Sequence, residues 1–114
     1  MNLITIKEER LKKLTDELIP ILEGCKCNEG EQEENYEVPK ATLMLENGKI
    51  IAFIDEDEFR IALTDNKYLV SLYNNKLYIS RKYPYKRGHI DLSDKRASKI
   101  INIIRKFFDE VVKE

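Results

Sequence analysis

Tryptophan is absent from this chain of 114 residues, histidine occurs once at His89, glutamine once at Gln32, and cysteine only as Cys25 and Cys27. Each shortage closes off some chemistry. Four-coordinate zinc needs two ligands beyond the two thiols, and His89 is the only histidine to offer, so no metal site is expected within one chain. A disulfide between Cys25 and Cys27 would close a very small, strained ring, which favours free thiols or a weak redox pair in a loop at a helix end. No G-x-S-x-G, P-loop or Cys-His pattern is present. His89 has only Asp91 nearby to orient it as a general base, and reads as structural or phosphate-contacting. Catalytic residues and cofactors are therefore not expected. Long apolar runs are missing too; Ile19 to Leu22 is as long as they get, so nothing spans a bilayer and no membrane partner is expected. The opening MNLITIKEERLKK lacks the basic start and apolar core of a secretory signal, which implies a cytoplasmic protein.

Charge is what the chain has in abundance: 36% of residues are Asp, Glu, Lys or Arg, against 42% hydrophobic, the balance of a folded domain with a heavily charged surface. The bias to Lys, Glu and Ile fits a thermophilic source. A net charge of −1 conceals a division, because residues 1–66 carry 8 bases and 16 acids, and residues 67–114 carry 12 bases and 5 acids. The stretch YLVSLYNNKLYISRKYPYKRG, residues 68–88, holds five of the six tyrosines and five bases, with no acid between Asp65 and Asp91.

At this length one domain, residues 1–114, is expected. Residues 6–23 place Leu11, Leu14, Leu18, Ile21 and Leu22 at helical spacing, with a kink or early stop expected at Pro20. The acidic stretch around residues 25–38 reads as a mobile loop. From residue 40 the period becomes two, giving strands at 41–46, 49–54, 58–64, 67–73 and 76–83. Turns fall at Asn47-Gly48, read as type I′, at Asp65-Asn66 and at Asn74-Asn75. Residues 84–88 read as a basic loop. From Leu92 helical spacing returns, with Ser93 as N-cap and Ala97, Ile100, Ile101, Ile104, Phe107, Phe108 and Val111 as the apolar stripe. The expected fold is α+β, a five-stranded antiparallel meander backed on one face by an N-terminal and a C-terminal helix.

Two-residue turns set the register. Phe59, Ile61, Leu63, Val70, Leu72, Leu77 and Ile79 then share a core face, with Tyr68 opposite Arg81 on the same side. Arg60, Ala62, Thr64, Lys67, Leu69, Ser71, Tyr73, Lys76, Tyr78, Ser80 and Lys82 share the other, a face without carboxylates. Cations for phosphates and flat rings for unpaired bases suit single-stranded nucleic acid. The equally available reading is a solvated sheet face on which Tyr and Lys are ordinary strand residues. The loop residues Tyr85, Lys86 and Arg87 extend the basic surface.

The order of elements in IALTDNKYLVSLYNNKLYISRKYPYKRGHIDLSDKRASKIINII, residues 61–104, resembles the positive-cofactor-four family of transcriptional coactivators and single-strand DNA-binding proteins. In that family a strand, an aromatic and basic hairpin, a Lys/Gly-rich loop, a G-I-x-L-[ST] strand and a helix follow one another. The resemblance implies that Lys67, Lys76, Tyr78, Arg81, Lys82, Lys86 and Arg87 track a single strand of DNA or RNA, and that two copies join as a homodimer through the C-terminal helix. Two other classes compete. The DEDE run at Asp55, Glu56, Asp57 and Glu58 could hold a divalent ion, as in a nuclease, although a solvated turn at a strand boundary is the commoner explanation of such a run. A non-catalytic interaction module, an accessory subunit or inhibitor, would use the charge asymmetry and the acidic loop.

Overall fold

Strand structure begins at the second residue, where no strand was expected. The computed structural model describes residues 2–23, 28–29, 39–82 and 85–112. Along the chain come β1 (Asn2–Ile6), α1 (Glu8–Glu23), β2 (Asn28–Glu29), β3 (Ala41–Leu45), β4 (Ile50–Ile54), β5 (Phe59–Leu63), β6 (Tyr68–Tyr73), β7 (Lys76–Lys82), β8 (Tyr85–Asp91) and α2 (Lys95–Val112). The α+β class holds, but the five-stranded antiparallel meander is corrected to a mixed sheet. Seven strands of five or more residues and the two-residue β2 lie in the order β1-β3-β4-β5-β6-β7-β8-β2. β1 runs parallel to β3, from Asn2 beside Ala41 to Ile6 beside Leu45. A parallel neighbour demands a long crossover, and α1 lies within it.

The meander itself follows the predicted register. Every pair from Phe59 beside Leu72 to Leu63 beside Tyr68, and from Tyr68 beside Arg81 to Tyr73 beside Lys76, is the pair that two-residue turns dictate. Asn74 and Asn75 take φ of 51° and 61°, as a type I′ turn requires. At the first hairpin the turn differs. Gly48 N–H donates to Leu45 O at 2.9 Å and only Gly48 has positive φ, +91°, so Glu46 and Asn47 form a right-handed turn followed by a left-handed glycine. This is a type I turn with a bulge, not type I′, and the register slips between Leu43 and Met44.

Both helices lie on one side of the sheet. Leu14, Leu18 and Leu22 of α1 and all seven predicted stripe residues of α2 are buried against the predicted core face, whose seven residues are buried as well. Pro20 does not end α1, which continues to Glu23. Its missing N–H falls in the last turn, where the ladder is nearly complete. The N-cap of α2 is Asp94 rather than Ser93: its Oδ1 accepts from Arg96 N at 2.8 Å, and its carbonyl accepts the first helical bond from Ser98. The Arg96 side chain and backbone N–H hold the Asp94 carboxyl below its ordinary range. α2 turns its apolar stripe onto the monomer core, with Ile103 half-buried and Val112 exposed. No helix among the described residues is long and apolar enough to cross a membrane. The acidic stretch falls outside the described residues except for Asn28 and Glu29, which are not loop but pair with His89 and Gly88; Cys25 and Cys27 also fall outside them.

Candidate nucleic-acid interface

β8 reorganises the expected site. Residues 85–88 are strand rather than loop, antiparallel to β7 from Lys76 beside Asp91 to Lys82 beside Tyr85. Side chains alternate along a strand, so adjacent residues of the basic run point to opposite faces. Arg87, opposite Ser80, lies on the open face, and the backbone of Tyr85 pairs with Lys82. Lys86 faces Arg81, and Arg81 faces Tyr68, which is 2% exposed on the helix side. Lys86, read as part of a loop, is therefore corrected to the face opposite Tyr78 and Lys82, and joins Arg81 on the side where the register expected Arg81; neither shares the open face with the other candidate residues. The Arg81 Nε is buried with no hydrogen-bond partner among the described residues. Lys67 stands in the turn between the central strands β5 and β6, where its ammonium lies 5.7 Å from the Tyr68 ring centroid.

On the open face one row crosses the whole sheet. Leu3 pairs with Thr42, Thr42 with Phe53, Phe53 with Arg60, Arg60 with Ser71, Ser71 with Tyr78 and Tyr78 with His89. Thr42 and Ser71 are almost fully buried, as small residues become between larger neighbours in such a row, while Phe53, Arg60, Tyr78 and His89 are half-buried. The Tyr78 and His89 rings lie 5.9 Å apart, inclined at 57°, making a two-ring platform at the β7–β8 end. A second row runs through Ala62, Leu69, Ser80 and Arg87. Neither row contains a carboxylate.

Carboxylates do occur at the margins, contrary to the sequence reading of an acid-free face. Asp91 sits beside Lys76, with Tyr73 next in that row. Asp65, in the β5–β6 turn, pairs with Lys49 of the β3–β4 turn, and the hydrogen bond and charge of Lys49, with a smaller contribution from Lys82, hold its carboxyl below the ordinary range. Thus, among the described residues, Arg60, Lys82 and Arg87 occupy ladder positions whose rows carry no carboxylate, and Lys76 lies at their edge. The chemistry also changes across the sheet. Toward β1 the open face carries Leu3, Met44, Ile50 and Phe53, with Leu3 56% and Ile50 50% exposed. A depression of about 500 Å³ joins the two regions, lined by Ile50, Phe53, Arg60, Leu69, Ser80 and Lys82 among others.

The chain matches no protein-family model, no curated protein and no solved structure. Geometry alone must therefore separate the candidate sites. The DEDE carboxylates do not converge: Glu56 pairs with Lys40, which lowers its pKa through a hydrogen bond and charge, Asp55 accepts from Glu56 N at 2.9 Å, and Glu58 accepts from Asn74 N at 2.9 Å. Among the described residues no cluster of three or more His, Cys, Asp or Glu could hold a metal ion. A groove of about 820 Å³ between α1 and the turns at 45–49 and 64–67 is lined by Glu8, Glu9, Asp16, Glu23 and Asp65 against Lys12, Lys49 and Lys67, a net negative balance that opposes a polyanion. Phe53 is an open-face ring that the sequence reading did not enlist, and His89, read as structural or phosphate-contacting, was not placed beside Tyr78; the 2.0 period through HIDL, continued back to Tyr85, is the signal that carried His89.

Proposed function

We propose that the open sheet face binds single-stranded nucleic acid without strong sequence preference. The row that joins Arg60 to Tyr78 and His89 through Ser71 carries this reading. Single strands are held by cations tracking phosphates and by rings that take stacked bases. The row supplies both, Lys82 and Arg87 add charge beside it, and no carboxylate stands within it. A duplex buries its bases and would gain only the charge contribution. The reading also draws on the resemblance of residues 61–104 to the positive-cofactor-four family, whose element order is that of β5-β6-β7-β8-α2.

Neighbouring bases on opposite faces provide the test. Replacing Arg87 by alanine is expected to weaken binding to a labelled single-stranded oligonucleotide and to reduce the salt slope by about 0.7, the loss of one phosphate contact. Lys86→Ala, one position away on the helix side, should change both far less. Equal losses in the two variants would mean that charge, not this face, drives binding.

A further inference from the structure

We propose that two copies of this chain pair through β1, antiparallel about a two-fold axis at Ile4, to form one continuous sheet. Among the described residues β1 has a single neighbour, β3. Asn2 N–H donates to Lys40 O at 3.1 Å, so the alternation of backbone groups turns Asn2, Ile4 and Ile6 toward β3. The N–H and C=O of Leu3 and Thr5 face outward. Exposed edges are ordinarily guarded by lysine, proline, inward charge or a bulge. NLITI has none of these guards.

The strand is also complementary to itself. With the axis at Ile4, Leu3 faces Thr5 of the second copy, and the two residues exchange both their backbone bonds on each side of the axis. This is the closely bonded pair of an antiparallel ladder. Ile4 meets its own equivalent in the intervening non-bonded position, where side chains approach most closely. Ile4 is half-buried against the core, so its equivalent would cover what remains. Leu3 lies on the open face with Met44 and Ile50 behind it, and the two exposed apolar patches become adjacent in the pair. No charge on the strand opposes self-pairing, and each chain carries a net charge of only −1. An isologous contact of this kind closes on itself, giving a dimer rather than a filament. This inference stands apart from the nucleic-acid reading; it leaves the basic regions at the two distal ends of the joined sheet.

Sedimentation of the full chain from about 1 to 100 µM should show a mass approaching twice 13.5 kDa. Thr5→Pro deletes an outward N–H while leaving the bonds to β3, and Thr5→Lys adds a guarding charge; each should weaken the dimer by about tenfold or more. With Cys25 and Cys27 changed to serine, Ile4→Cys should cross-link to itself on mild oxidation, and Val112→Cys, exposed on α2, should not. A mass of 13.5 kDa at every concentration would overturn the proposal, as would a dimer unchanged by both Thr5 substitutions. Ile4→Cys cross-linking no better than the Val112→Cys control would also overturn it.

Discussion

Phe108→Ala is expected to destabilise the fold by about 3 to 5 kcal/mol, the cost of emptying a large aromatic site in a packed core. Phe108 is 5% exposed and meets the edge of Phe59 at a centroid distance of 5.4 Å with the rings at 76°, while Phe107 lies 6.0 Å away. It therefore ties α2 to β5 at the middle of the sheet. A domain of this size has about 5 to 15 kcal/mol in total, so the variant should retain only part of its stability, and its thermal midpoint should fall on the order of 15 °C. Lys106→Ala, exposed on the same helix, should move the midpoint little. Chemical denaturation of both variants reads the difference. A loss below about 1 kcal/mol in Phe108→Ala would mean that α2 does not pack as described.

Tyr78→Ala combined with Lys82→Ala should produce the largest loss of oligonucleotide binding, about tenfold or more, with the fold intact. The estimate follows from about 1 to 3 kcal/mol for one stacked base together with the removal of one phosphate contact. Both residues lie on β7 and face away from the helices, so neither substitution opens a cavity in the core. Tyr68→Ala offers a contrast: that ring is buried and its hydroxyl donates to Glu23 Oε1 at 3.3 Å, so its loss should appear in stability and not in the salt slope of the folded protein. Undiminished affinity in the Tyr78/Lys82 variant, measured by fluorescence anisotropy, would place binding elsewhere.

The central meander was legible because two independent signals coincide there. The period of two assigns Phe59, Ile61, Leu63, Val70 and Leu72 to one side, and the paired turn residues fix which strand positions meet. β1 carried no such support. NLITI is only five residues long, has no adjoining turn, and finds its parallel partner across α1 and the acidic stretch. Such nonlocal pairing leaves no local mark. The misreading of β8 had a different cause: Pro84 and Gly88 are loop-forming residues, and their presence outweighed the alternation through Tyr85, Arg87 and His89. One consequence was the placement of Lys86 beside Arg87 in a single basic surface, when the pleat separates them; Arg81 entered the site through the family resemblance although the register already set it opposite Tyr68. The N-cap was closer still, since Ser93 and Asp94 are both good caps and only the bond to Arg96 N distinguishes them.

A salt-dependent titration of the unaltered protein with matched single- and double-stranded oligonucleotides tests the proposed function most directly. The expected result is binding to single strands with little dependence on sequence, weaker binding to duplex, and a log-log salt slope of about 0.7 for each phosphate neutralised. No binding to any oligonucleotide at low salt, or tighter binding to duplex than to single strands, would contradict the account.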